Sequence, residues 1–137
     1  GWLVGTRLSL HAGLGLLETR IVETTYPADP LRNNEFQRSP AWTGSAAIDW
    51  RPTDRWRLSA QVRHNTDYFS DDANTPSLRI SGTTVLDARA SYEQGRWSVF
   101  GFVRNAFDTF YLTELYSPAF GTAGDPRKFG FGVEARL

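Results

Sequence analysis

R-K-F-G-F-G-V-E-A-R-L, residues 127–137, is the stretch on which the fold turns. Phe129, Phe131, Val133, Ala135 and Leu137 share one parity, and Lys128, Gly130, Gly132, Glu134 and Arg136 share the other. Alternate side chains of a strand point to opposite faces, so this is a strand with one apolar face. Charge and glycine persist along the second face to the last residue, as expected where one face meets hydrocarbon and the other water. A soluble sheet packed on one side produces the same alternation, so the remaining sequence has to separate the two.

The alternation recurs upstream. Leu8, Leu10, Ala12, Leu14 and Leu16 oppose Ser9, His11, Gly13 and Gly15, which predicts a strand running from Arg7 to Thr24 with Gly1–Gly5 as the stub of another. Trp42, Ala46, Ile48 and Trp50 oppose Thr43, Ser45, Asp49 and Arg51. After the turn residues Pro52–Arg55, Trp56, Leu58, Ala60, Val62 and Tyr68 oppose Arg57, Ser59, Gln61, Arg63 and Asn65, completing a hairpin. Leu86, Ala88, Ala90 and Tyr92 oppose Asp87, Arg89, Ser91 and Glu93, and a Gln94-Gly95-Arg96 turn leads to Trp97, Val99, Gly101 and Val103. Phe100 and Phe102 interrupt the polar face of that strand and are expected to pack against something inside.

Polar, proline-containing segments at 26–39, 70–82 and 105–126 separate these units. Between about six strands the connections therefore run long, short, long, short, long. In an antiparallel up-and-down meander that places every long loop at one end and every short turn at the other, which is the asymmetry of outer-membrane barrels. A soluble sandwich has no reason to sort its loops by length.

Aromatic placement points the same way. Trp50 and Trp56 flank one short turn on the apolar parity, Tyr92 and Trp97 flank the other, and Trp42 stands at the far end of its strand. Such rings favour the boundary between bilayer and water, and these five are predicted to lie there. Eight steps from Trp42 to Trp50 at ~3.3 Å each give about 26 Å of strand, or roughly 20 Å of height after a tilt of about 40°. That height is close to the apolar band of such a barrel.

Composition excludes several classes. Lys plus Arg equals Asp plus Glu at 15 each, so there is no basic footprint for nucleic acid. There is no cysteine, and the two histidines, His11 and His64, lie far apart, which leaves no convergent metal-ligating set and no expected cofactor. No apolar run approaches the ~18 residues of a membrane helix, a limit that does not apply to strands. The carboxylate pairs Asp71/Asp72 and Asp108/Glu114 lack a partnering nucleophile, so an enzyme is not expected. The chain opens on Gly1 and is expected to be a fragment or a processed piece.

Asn105-Ala106-Phe107-Asp108 with Tyr111 resembles the N-L-F-D-x-x-Y stretch that ends the penultimate strand of TonB-dependent outer-membrane receptors. Gly124-Asp125-Pro126-Arg127, continued by Lys128-Phe129-Gly130, resembles the lead-in to their last strand. Ser39–Thr43 and Leu86–Arg89 are similar to two of their strand starts. The resemblance spans nearly the whole chain in the right order. One departure is Leu137, where the family usually ends in Phe.

The resemblance implies an all-β fold, with residues 1–137 forming an open curved segment, the C-terminal portion of a large transmembrane β-barrel. It implies a bacterial outer-membrane location and import of a ferric siderophore or similar metal chelate. The partners it implies are outer-membrane lipid, the missing barrel strands, an N-terminal plug, an energy-coupling protein reached through that plug, and the small-molecule chelate. Ligand contact would fall to the loops, at Tyr68, Phe69, Arg79, Tyr111, Tyr116 and Phe120. Asp49, Arg63, Asp87, Arg89, Arg104, Glu134 and Arg136 would face the lumen and pair with one another. Two rival readings remain open: a passive pore or barrel wall assembled from several chains, and a soluble β-sheet ligand-binding protein. Unpaired edges are expected at the Arg7–Thr24 and Phe129–Leu137 strands.

Overall fold

The computed structural model describes residues 1–26 and 28–135; Arg136 and Leu137, predicted as a lumen-facing charge and the terminal residue of the family motif, lie outside the described residues. In chain order the strands are β1 (Trp2–Leu3), β2 (Leu8–Leu16), β3 (Trp42–Trp50), β4 (Trp56–Asn65), β5 (Tyr68–Phe69) and β6 (Arg79–Ile80). They continue with β7 (Thr83–Gln94), β8 (Trp97–Arg104), β9 (Leu112–Ser117), β10 (Phe120–Ala123) and β11 (Lys128–Ala135). One open antiparallel sheet runs β1-β2-β3-β4-β7-β8-β11, and β5-β6 and β9-β10 are separate two-stranded hairpins inside the long loops. Each strand of the main sheet pairs with the next in that order, so the sheet is a meander with all long connections at one end.

The register carries the predicted parity across the sheet. Leu8, Trp50 and Leu58 stand opposite one another in turn, as do Trp56 and Tyr92, Tyr92 and Val99, and Val99 and Val133, giving a continuous apolar face. Among the described residues no second layer covers it: Trp50 is 44 % exposed, Trp97 60 % and Phe131 87 %. Among the described residues the buried apolar side chains are Ile80 and Val85 alone. Cohesion therefore comes from the hydrogen-bonded ladder and from cross-strand pairs rather than from an enclosed core.

Phe100 and Phe102 do lie on the polar face, where each covers a glycine of the neighbouring strand. They stand opposite Gly132 and Gly130, and a Cβ on either glycine would meet the facing ring at 2.5 or 2.8 Å. These glycines admit a close approach that any side chain would block.

Three expectations are corrected. The strand predicted over Arg7–Thr24 stops at Leu16, which pairs with Trp42, and its last ladder bond runs from the Leu17 amide to Ala41 O at 2.9 Å. The partner chain then reaches Pro40, whose nitrogen has no proton to continue the ladder. That strand is also an edge only in part, because β1 pairs with it at Ser9 and Leu10. Tyr68 does not continue the apolar face of β4; the chain turns after Asn65 and Tyr68 enters the β5-β6 hairpin.

Candidate functional site

Two surfaces are positioned by this fold, the polar face and the knot of long loops above it. On the polar face, charges pair between strands. Arg57 Nε lies 3.0 Å from Glu93 Oε1 and Arg63 Nη2 2.8 Å from Asp87 Oδ2. Arg89 reaches across β8 to Glu134 at 3.6 Å, and its guanidinium carbon sits 3.8 Å from the centre of the Phe100 ring. Arg104 lies over Phe102 at 5.8 Å, and Asp49 is 3.9 Å from His11 Nε2. The six described residues predicted to face the lumen thus share this face. Exposed pairs of this kind contribute about 0–1 kcal/mol each, so they orient side chains more than they stabilise the sheet.

The motif residues build a clasp where the 105–127 loop leaves and rejoins the sheet. Asn105 adopts φ 48° and is buried. Its Nδ2 donates to Thr109 O at 2.9 Å and Asp125 O at 3.0 Å, its Oδ1 accepts from the Thr109 amide, and its own amide donates to Asp87 Oδ1 at 2.9 Å. Asp108, at φ 53°, accepts from the Arg127 amide at 3.0 Å. Tyr111 packs its ring flush on Gly124, whose amide donates to Tyr111 O at 2.8 Å. Lys128 Nζ donates to Asp125 Oδ1 at 2.7 Å, and that hydrogen bond, with the charge of Lys128, holds the Asp125 carboxyl below its ordinary range. Pro126 bridges these contacts in sequence, while Phe107 projects into the open. The side chains of Asn105, Asp108, Tyr111, Asp125 and Arg127 are thus occupied in closing this loop.

The three loops hold one another. The Arg38 amide donates to Phe69 O at 2.8 Å, and its guanidinium forms an ion pair with Glu114. Asn34 Nδ2 and the Gln37 amide both donate to Asp72, at 2.9 Å each, and Glu35 and Asn74 exchange bonds of 2.8 and 2.9 Å. Tyr68 Oη donates to Thr113 O and the Leu115 amide to Ser70 Oγ, both at 3.0 Å. Burial pushes the Tyr68 phenol above its ordinary pKa, against the smaller opposing pull of Arg38.

Of the six predicted contact residues, Tyr68, Phe69 and Arg79 come together on one hairpin, where Arg79 pairs with Asp67 and lies 5.6 Å from the Phe69 ring centre. Tyr111 belongs to the clasp. Tyr116 and Phe120 are exposed on the β9-β10 hairpin, and Tyr116 Oη donates to Glu114 Oε2 at 2.9 Å. Sequence reading missed the loop-locking residues Arg38, Ser70, Asp72, Asn74 and Glu114. The turn composition of Asp71–Pro76 was the one available signal, since the side-chain hydrogen-bond partners lie 35 to 45 residues apart and Arg38 and Glu114 farther still.

At the loop end of the apolar face, Trp42 stacks on His64 with ring centres 4.5 Å apart, and His64 Nδ1 hydrogen-bonds Thr84 Oγ1 at 2.7 Å. At the short-turn end, Trp56 and Tyr92 meet at 5.1 Å beside the exposed Trp50 and Trp97. Among the described residues no group of three or more His, Asp or Glu side chains gathers to hold a metal.

A single-layer sheet with one apolar and one charged face, long loops knotted at one end and tight turns at the other, is a wall of a transmembrane β-barrel. Residues 2–106 match the TonB dependent receptor-like β-barrel family, and the chain belongs to it. Barrels of this family are bacterial outer-membrane proteins. Among solved structures, the chain is similar to the siderophore receptor PiuA from Acinetobacter baumannii, with a TM-score of 0.84 and 16 % identity over 96 % of this chain and 20 % of that one. It is similar to the ferric yersiniabactin uptake receptor FyuA from Yersinia pestis, at TM-score 0.83 and 15 % identity over 98 % and 22 %. The unliganded ferric citrate transporter FecA matches at TM-score 0.77 and 25 % identity over 93 % and 21 %. The chain spans about a fifth of the length of each of these structures.

Proposed function

We propose that residues 1–137 form the C-terminal wall and three outer loops of a receptor that imports a ferric siderophore or a similar metal chelate across the outer membrane. The observation that carries this reading is the sorting of the molecule along one axis, with a loop knot at one end of an exposed apolar face and tight turns at the other. Outer-membrane barrels direct long loops outward and short turns to the periplasm. In this reading the loops present Tyr116 and Phe120 toward the ligand, while Tyr68, Phe69, Arg79 and Tyr111 shape the surface around it. The polar face, with its chain of paired charges, lines the lumen against an N-terminal plug. That plug transmits the work of an energy-coupling protein, and remaining strands complete the barrel. The chain does no covalent chemistry; its work is binding and containment.

The deciding measurement is uptake of radioactive iron presented as a panel of ferric chelates, in cells carrying or lacking the gene. Gene-dependent accumulation of one chelate, abolished by collapsing the proton gradient, is the expected result. Accumulation that survives the collapse would indicate the multichain passive pore instead. A chain that stays monomeric and dispersed without detergent would indicate a soluble binding sheet.

A further inference from the structure

The charges of this chain cancel in total but not along its axis. The long connections 17–41, 66–82 and 105–127 together carry a net charge of −5. The short connections 4–7, 51–55 and 95–96 hold Arg7, Arg51, Arg55 and Arg96 against Asp54, a net charge of +3. Arg7 is tied to Asp54 at 3.0 Å. Arg51, Arg55 and Arg96 are exposed, and among the described residues none of them stands in an ion pair.

Each of these three arginines is joined in sequence to an outward-facing tryptophan, as Trp50-Arg51, Arg55-Trp56 and Arg96-Trp97, with the arginine always on the turn side. At the other end of the sheet Trp42 is followed by Thr43 and stacked on His64 instead. Arg55 shows where one of these cations is held. Its Nη1 donates to Tyr92 Oη at 3.2 Å, and the Tyr92 ring packs against Trp56 on the apolar face. The guanidinium is therefore tethered at the short-turn border of the apolar face, with most of its donors unengaged by the described residues.

A ring at the edge of hydrocarbon with a cation one residue further out matches the layering of a phospholipid leaflet, in which acyl chain gives way to phosphate. We propose that the short-turn rim formed by Arg51, Arg55 and Arg96 is a docking surface for anionic phospholipid headgroups of the leaflet it faces, selecting them over zwitterionic ones. The charge complementarity is specific to this rim, because the opposite end carries the reverse sign. The inference rests on the membrane seating of the apolar face, and the test separates the two.

The complete barrel carrying this segment is reconstituted in nanodiscs of equal parts phosphatidylglycerol and phosphatidylethanolamine, and the retained lipid is measured by native mass spectrometry. Cations near an anionic surface each favour it by about fivefold. The wild type should therefore retain phosphatidylglycerol at least about fivefold over the R51Q/R55Q/R96Q variant, while R51K/R55K/R96K keeps the preference. Heat-modifiable gel migration identifies folded barrels, and if the triple variant misfolds, R96Q in the tight turn is compared alone. Equal lipid ratios in folded wild type and glutamine variant would overturn the headgroup proposal and leave the membrane seating intact. Failure of the wild type to enter the nanodisc bilayer would overturn both.

Discussion

Phe102 of β8 lies across Gly130 of β11, its directly opposed residue, so closely that a Cβ on the glycine would stand 2.8 Å from two ring carbons. Phe100 and Gly132 repeat the arrangement two residues along. Replacing Gly130 or Gly132 with alanine should destabilise the barrel by about 1–3 kcal/mol, the usual cost of overpacking. Gly101→Ala serves as the control, since a Cβ there meets nothing closer than 3.7 Å. Urea unfolding in micelles should rank G130A and G132A below G101A, and F102L should relieve G130A.

Asn105 is buried with its side-chain amide fully used, donating to two carbonyls and accepting from the Thr109 amide. Removing that group leaves part-buried backbone partners unpaired, so Asn105→Ala should cost about 1–3 kcal/mol. Asn105→Asp keeps the acceptor but loses both donations and should be nearly as damaging. Hydrogen exchange should show faster opening of residues 105–127 in both variants, with β2 to β4 unchanged.

The Arg38–Glu114 pair joins the first and third loops where Arg38 is largely solvated. A partly exposed pair contributes about 0–1 kcal/mol, so Arg38→Ala should leave unfolding almost unchanged. Its effect should appear as faster limited proteolysis of the loops. The exchange R38E/E114R should restore resistance, and failure to do so would show that the backbone bonds alone hold the loops.

Tyr68 gives the loop knot a pH dependence. Its phenol is raised by burial, so the folded form holds its proton above pH 10 where the unfolded form has lost it. Stability from Tyr68 is therefore complete below pH 10 and declines as pH rises through the folded value, when the Thr113 carbonyl also loses its donor. Loop opening in strongly alkaline buffer should be smaller in Tyr68→Phe than in wild type. Asp125 acts in the opposite direction: its depressed carboxyl supports the clasp above the ordinary aspartate range and releases Lys128 as acid protonates it.

Strand parity was legible because it is a local property. Phe129 to Ala135, Trp42 to Trp50 and Leu86 to Tyr92 each declare both faces within a few residues, and even the anomaly at Phe100 and Phe102 pointed to an interior partner. Strand ends were less legible, because they depend on the neighbour. Nothing in Leu17 to Thr24 says that the opposing chain will arrive at Pro40. The loop hairpins were invisible for a related reason. Tyr68 and Ile80 pair only once the intervening turn is folded, and Ser70 meets Leu115 across 45 residues of sequence. Asn105, Asp108 and Tyr111 were found through resemblance, while their service as a clasp depends on partners as far as 20 residues away.

The split between neighbour-to-neighbour pairing in the sheet and distant bonding in the loops sets an order of assembly. Every ladder pairing of the main sheet closes between strands adjacent in the meander, so the wall can zip one hairpin at a time with modest loss of chain entropy. The bonds from Asn34 to Asp72 and from Ser70 to Leu115 bridge 38 and 45 residues and have nothing to grip until the hairpins beneath them exist. The knot is thus the last part to form and the first to report a misregistered strand, which makes protease resistance of the loops a readout of correct wall assembly.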